Sequence, residues 1–200
     1  MTHNEIIAWL LEGDVSIQYQ TYRDLLDKEK PTLRKKIESE GWGLSVLASR
    51  HSSGHWGKSF YQPKWISSHY TLLDLKNLNI SPTNKIIRET LKLIFESKKG
   101  PDGGILPIGT VQKSDVCVNG MVLNYSSYFR AKEECLKSVV DFLLSEKMKD
   151  GGFNCHSNRK GAIHSSLHTT LSVAEGILEY ERNGYHYRLR ELKKARQSSD

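Results

Sequence analysis

Residues 143–153 read LLSEKMKDGGF, an apolar helical end that runs into an aspartate, two glycines and one bulky apolar residue. Residues 94–105 read IFESKKGPDGGI in the same order, and residues 47–56 read LASRHSSGHW with a single glycine at the turn. A sharp reversal after a helix requires a positive φ, which glycine adopts at little cost. The turning glycines are 49 and then 48 residues apart, at Gly54, Gly103 and Gly151. A period this regular predicts a repeat protein.

Each turn is followed by a variable loop and then by two amphipathic helical stretches. Ile87, Leu91 and Ile94 show the pattern, because they share one face at the i, i+4, i+7 spacing of a buried helix side. No segment has the pattern of a convincing strand. The predicted helices cover residues 68–78, 83–97, 116–128, 131–147 and 165–182, with another from 186 onward and three upstream in 6–11, 17–26 and 33–39.

One helix pair cannot bury both of its faces, so successive pairs must stack. Stacking with alternate helices inside and outside gives a curved double layer or a closed ring. We therefore predict an all-α fold, an αα-toroid (α/α barrel) that is short for a full ring. It would be a single domain over residues 1–200, with N-terminal helices in 3–40 and repeats at about 42–97, 98–147 and 148–197.

The composition narrows the class of protein. A hydrophobic content of 38% and a charged content of 26% are ordinary for a globular domain. No stretch predicts a membrane span or a secretory signal, and three cysteines do not make a disulfide framework, so we expect reduced thiols and a cytoplasmic location. The net charge is +6. A basic cluster near the C-terminus is interpreted as a solvated helix face and not as a nucleic-acid surface; it contains Arg182, Arg188, Arg190, Lys193, Lys194 and Arg196.

A candidate metal site follows from aligning the first helices of the three repeats. Tyr70, Cys117 and His168 then occupy equivalent positions at the starts of successive inner helices. Because packed helices lie about 8–10 Å apart, a cysteine and a histidine at one height on neighbouring helices can bind one ion. Asp115 precedes Cys117 by two residues and can reach the same point. Three such ligands with one open position are typical of catalytic zinc.

The same residues carry a family resemblance, which covers about residues 40–182. Residues 113–123 read KSDVCVNGMVL and resemble the Asp-x-Cys zinc segment of protein prenyltransferase β subunits, those of the Rab geranylgeranyltransferase type most of all. The Gly-Gly-Phe-Asn of residues 151–154 and the His-Thr of residues 168–169 resemble the next repeat of that family, which supplies the zinc histidine. The superfamily also includes the squalene cyclases.

The resemblance implies a function. Zinc held by Asp115, Cys117 and His168 would activate a cysteine thiolate on a target protein, and an aromatic funnel would hold an isoprenoid diphosphate. Family enzymes work with a separate helical partner subunit. For the substrate we expect contacts from Trp65 and Tyr70, and for its diphosphate from Lys113 and His69, which lies away from the family's position.

Other functions and other roles remain open for these residues. The chain could be a non-catalytic toroid that binds a small apolar ligand or a protein partner. A terpene cyclase-like activity is disfavoured, because the acidic Asp-x-Asp-Asp and Asp-Asp-x-x-Asp motifs are absent. Asp115 could be a helix N-cap and Cys117 a small core residue. His164 and His168 form an alternative metal pair if their helix begins early, and the proximity of Cys155 to His156 is interpreted as incidental.

Overall fold

The computed structural model describes residues 2–109 and 111–197. Helices and turns make up this part of the chain, and a π-helical turn, Thr21–Leu25, continues α2. The helices are α1 (His3–Leu11), α2 (Val15–Gln20), α3 (Pro31–Lys36), α4 (Gly41–Ala48), α5 (Ser68–Asn77), α6 (Lys85–Ser97), α7 (Val116–Tyr128), α8 (Glu133–Ser145), α9 (Ser157–Lys160), α10 (Leu167–Arg182) and α11 (Leu189–Gln197).

The prediction of an all-α fold is confirmed for the described residues. They contain no strand, only one isolated antiparallel bridge between Lys99 and Ile105. A search of these residues also found no helix with the length and apolar character that crossing a membrane requires.

The chain divides into two compact units, Met1–Ile86 and Ile87–Asp200. In the first unit the core brings together apolar side chains from α2, α4, α5 and the loops between them, among them Tyr19, Leu47, Trp56, Leu72 and Leu75. The Trp56 indole N–H donates to the carbonyl of Val46 at 2.7 Å. The hydroxyl of Ser16 on α2 donates to the carbonyl of Leu78 at 2.8 Å, so α2 is held to the end of α5.

The second unit is built on the close packing of α7 with α10. A Cβ on Gly120 would lie 2.8 Å from the carbonyl carbon and oxygen of Ser172 and from the nitrogen of Val173. A Cβ on Gly176 would overlap the carbonyl oxygen of Gly120 and would lie 3.3 Å from the Cβ of Leu123. Because later residues of α7 meet later residues of α10, the two helices are parallel. Their glycines allow the two backbones to touch.

Helices α8 and α11 complete this unit. Ser138 and Phe142 of α8 lie against Gly103 and Gly104, whose turn also holds the start of α7, so α8 runs antiparallel to α7. At the other end, a Glu133 oxygen accepts hydrogen bonds from the backbone N–H groups of His186 at 2.6 Å and Tyr187 at 3.0 Å. Both bonds lower the pKa of the Glu133 carboxyl, and the bond from Tyr187 has the larger effect. The segment that leads into α11 is thereby fixed to the first turn of α8.

The three turns found in the sequence have one hydrogen-bond pattern. In each, an N–H bonds to the carbonyl four residues later, at 2.8 Å for His51 and His55, 2.8 Å for Gly100 and Gly104, and 3.0 Å for Met148 and Gly152. In each turn, the N–H of the glycine three residues after this first residue also donates to the first residue's own carbonyl. These glycines have φ values of 84°, 87° and 96°, for Gly54, Gly103 and Gly151. The recurring sequence therefore encodes a recurring local structure.

A side chain of the next long helix, α5, α7 or α10, fastens each turn. The backbone N–H of the bulky residue after the turn donates to a side-chain oxygen of that helix. The pairs are Trp56 with Ser68 at 3.0 Å, Ile105 with Asn119 at 2.7 Å, and Phe153 with Thr170 at 2.9 Å. The sequence pattern indicates the apolar residue in each turn but not the polar partner that holds its amide.

The aspartates of the two Asp-Gly-Gly turns hold the loops that lead into α7 and α10. Asp102 accepts the N–H of Ser114 at 2.6 Å, and Asp150 accepts the N–H of Ser165 at 2.7 Å. These bonds set where each of the two helices begins. α7 begins at Val116, as predicted, whereas α10 begins at Leu167 and not at Ser165, because the N–H groups of Ser165 and Ser166 bond to Asp150 and to the Phe153 carbonyl.

Candidate functional site

The predicted metal ligands Asp115 and Cys117 lie at the start of α7. Asp115 is the N-cap residue, and Cys117 is in the first turn, half-buried. The side chain of Asn119 donates to the carbonyl of Asp115 at 2.9 Å and to that of Ile105 at 3.1 Å. The first turn of α7 is therefore fixed to the preceding Gly-Gly turn through Asn119.

The nearest thiol to Cys117 belongs to Cys155, in the loop after the third turn. The Cys155 sulfur accepts the backbone N–H of Cys117 at 3.0 Å, and it also accepts the Thr169 hydroxyl of α10 at 3.5 Å. The two thiols also interact with each other, and this interaction moves their pKa values in opposite directions. The first N–H groups of a helix have no partner within it, so the sulfur of Cys155 satisfies one of these donors for α7.

This arrangement separates the acidities of the two thiols. The hydrogen bond from the Cys117 thiol lowers the pKa of Cys155, and the Thr169 hydroxyl and the N–H of Cys117 act in the same direction. The same thiol hydrogen bond raises the pKa of Cys117, and burial raises it further. A sulfur at a helix N-terminus with several donors is the usual environment of a reactive cysteine. The donors around the Cys155 sulfur therefore favour the thiolate form of Cys155 over that of Cys117.

His168, the third predicted ligand, lies in the first turn of α10 and is exposed. Because α7 and α10 are parallel, His168 and Cys117 belong to the same end of the packed helix pair. The structure does not gather them: among residues 2–109 and 111–197 no three His, Cys, Asp or Glu side chains are close enough to hold a metal ion. Asp115, Cys117 and His168 thus remain a predicted zinc site. His164 precedes α10, so it does not share a helix face with His168.

The predicted substrate residues of the first unit meet in an aromatic cluster, formed by Tyr61, Trp65, His69 and Tyr70. The ring of Tyr70 lies 4.9 Å from the rings of both Trp65 and His69, and its hydroxyl is 3.0 Å from that of Tyr61. Trp65 is 72% exposed, whereas His69 is fully buried. Burial lowers the pKa of His69 to about 3, so its imidazole is neutral at physiological pH. A neutral, enclosed imidazole is unsuited to hold a diphosphate by charge.

Lys113, the remaining predicted contact for the diphosphate, lies in the second unit. It is exposed, and its ammonium group donates to the backbone carbonyl of Asn158, just ahead of the loop to α10. The Asn158 side chain in turn donates to the carbonyl of Ser114 at 3.2 Å. Lys113 therefore holds the α9 segment against the approach to α7.

Cys155 is a site residue that the sequence pattern does not reveal. The predicted site does not include it, whereas in the structure its sulfur contacts the backbone N–H of Cys117. A signal was present, because Cys155 is the second residue after Phe153 in the loop that follows a Gly-Gly turn. The loop that contains Cys155 leads to the start of α10. Because α10 packs parallel to α7, the starts of these two helices are neighbours.

Comparison of the chain with the known protein families, with curated proteins and with solved structures found no match.

Proposed function

We propose that the protein is an αα-toroid of the prenyltransferase type and that it catalyses zinc-dependent transfer of an isoprenoid to a thiol. The observation that carries the proposal is the parallel packing of α7 on α10, with α8 as the antiparallel return between them. Inner helices that run in one direction, connected by outer helices, are the repeating element of such a ring. The arrangement puts Cys117 and His168 at the same end of two touching helices.

The donor set suits the metal. Thiolate, imidazole and carboxylate groups are the ligands that zinc takes in catalytic sites, and Cys117, His168 and Asp115 would supply them. Zinc at this end would lower the pKa of a bound thiol and so provide the nucleophile. The protein's own part is to fix the two helix starts, through Asp102 and Ser114 before α7 and through Asp150 and Ser165 before α10.

The metal proposal predicts stoichiometric zinc in the purified chain, with Cys117→Ala reducing it strongly because the only sulfur among the three ligands is removed. Elemental analysis of the two proteins at neutral pH measures this directly. Cys135→Ala is the matched control, because Cys135 is a half-buried thiol of α8 outside the predicted ligand set, and it should leave the zinc content unchanged. Zinc absent from the wild type, or retained by Cys117→Ala, contradicts the proposal.

The lipid proposal predicts that farnesyl or geranylgeranyl diphosphate raises the melting temperature as its concentration rises. A ligand that binds only the folded state stabilises it by about 2.7 kcal/mol at 100 times its Kd. Thermal unfolding over a series of lipid concentrations, with inorganic diphosphate as the control, measures the effect. A melting temperature that neither lipid changes removes isoprenoids as substrates.

A second candidate is a non-catalytic toroid that binds another protein. The observation that favours it is an apolar surface at the start of α10, where Ile163, Leu167 and Leu171 are 79%, 82% and 55% exposed. Contiguous exposed apolar surface is typical of protein interaction sites. This candidate predicts neither bound zinc nor stabilisation by lipid, so the two measurements above distinguish it from the transferase.

A further inference from the structure

The chain has three cysteines, and the structure brings two of them together from segments far apart in sequence. Cys117 is in the first turn of α7, Cys155 lies 38 residues later in the loop before α10, and Cys135 is on α8. We propose that Cys117 and Cys155 are a reversible dithiol that closes to an intramolecular disulfide when the protein meets a low-molecular-weight disulfide. This inference goes beyond the proposed function and does not rest on it.

The geometry suits a disulfide. The Cys155 sulfur is 3.0 Å from the backbone nitrogen of Cys117. Since the N–Cα bond is about 1.46 Å long, this sulfur lies within about 4.5 Å of the Cys117 Cα. A disulfide needs two sulfurs that can approach to about 2.05 Å from neighbouring Cβ atoms. A rotation about the side-chain bonds of two residues that already touch can supply this approach.

Both cysteines are half-buried, so a small oxidant can reach them. The loop of Cys155 is fixed on both sides, because Phe153 before it bonds to Thr170 at 2.9 Å and the Ser157 hydroxyl after it donates to Glu146 at 2.8 Å. The first turn of α7 is fixed by Asn119. The two sulfurs are therefore presented to each other by anchored segments and do not depend on a chance encounter of mobile chains.

The reaction is a thiol–disulfide exchange in two steps. The Cys155 sulfur attacks one sulfur of the oxidant, forms a mixed disulfide and releases one thiolate. The Cys117 sulfur, whose proton passes to solvent, then attacks Cys155 and releases the second thiolate. The protein pair loses two electrons and two protons, and the oxidant becomes two thiols. The reverse order of attack gives the same product.

Closure changes the chemistry of this end of α7. It removes both thiols, and it joins the loop after the third turn covalently to the first turn of the neighbouring inner helix. A Cys117 bound in a disulfide offers no thiolate to a metal. The oxidised and reduced chains would thus differ in what this end of the helix pair can bind.

The experiment is to incubate the full chain, freed of metal with a chelator, in buffers that range from reduced to oxidised glutathione. We expect a monomer that loses the mass of two hydrogen atoms, a tryptic peptide pair joining Cys117 to Cys155, and full reversal by reduced glutathione. Cys135→Ser should behave like the wild type. Cys117→Ser and Cys155→Ser should each form only a mixed disulfide with glutathione on the remaining cysteine of the pair.

Three results would overturn the inference. In the first, Cys117 and Cys155 of the wild type each end as a separate glutathione adduct. In the second, the disulfide that forms includes Cys135. In the third, disulfides form only between two chains. Circular dichroism of the serine variants checks that they are folded. The wild type and Cys135→Ser decide the question even if one serine variant does not fold. Because the readout is mass, the outcome is independent of zinc content and lipid binding.

Discussion

Gly176→Ala is expected to lower the free energy of unfolding by about 2 kcal/mol, although alanine is the better helix former by about 1 kcal/mol. The reason is the contact between α7 and α10. A methyl group at position 176 would overlap the carbonyl oxygen of Gly120, which is backbone and cannot rotate away as a side chain can. Excess volume in a packed interior costs about 1–3 kcal/mol, and here the two helices must separate to admit it. Urea denaturation of the two proteins measures the difference.

Gly109→Ala is the control for this prediction. No atom lies within 4 Å of a Cβ built on Gly109, so the substitution should change stability by no more than about 0.5 kcal/mol. Gly120→Ala should repeat the effect of Gly176→Ala, because its Cβ would meet the backbone of Ser172 and Val173. If Gly176→Ala stabilised the protein, helix propensity would outweigh packing, and the parallel contact of α7 with α10 would be wrong.

The buried His69 should make the protein sensitive to acid. Its pKa is about 3 in the folded state and 6.5 ordinarily, and the cause is burial of the charged form. Between these values the unfolded chain binds the proton and the folded chain does not. The stabilisation is therefore complete above pH 6.5 and is lost as the pH falls towards 3. One pH unit corresponds to about 1.4 kcal/mol, so the contribution at pH 4.5 is smaller by about 3 kcal/mol.

The measurement is the free energy of unfolding of the wild type and of His69→Gln at pH 7 and at pH 4.5. Glutamine keeps polar atoms in the site but does not titrate, so His69→Gln should lose about 3 kcal/mol less than the wild type over this range. His3→Gln, at an exposed residue, is the control and should follow the wild type. Equal pH dependence in His69→Gln and the wild type would show that His69 is accessible to protons.

Much of the helical order could be predicted because the decisive signals are local. The predicted span of residues 116–128 is α7, and the glycines at 54, 103 and 151 are the positive-φ positions of three similar turns. The start of α10 was misplaced by two residues because Asp150 bonds to Ser165 across fifteen residues, and no local pattern reveals such a bond. The short helix α9 lies in a segment predicted to be a loop. Its position also depends on bonds between residues far apart in sequence, from Asn158 to Lys113 and Ser114.

The candidate site was harder to predict, because it depends on where side chains point. Repeat spacing puts Cys117 and His168 at one end of a parallel helix pair, and the structure has them there. Spacing does not specify that Thr169, the neighbour of His168, is the α10 residue that contacts the Cys155 sulfur. Adjacent residues on a helix point about 100° apart, so a shift of one position decides which of them contacts the pair.

The turns also bear on how such a chain can change over evolution. Each closes on itself with two backbone hydrogen bonds and fastens to the helix that follows it through Ser68, Asn119 or Thr170. The segments between the fastening points, such as residues 57–67 and 154–164, take no part in these bonds. Residues there that make no contact of their own with a helix can change while the turns and the helix starts keep their places. New chemistry can arise there without a new fold.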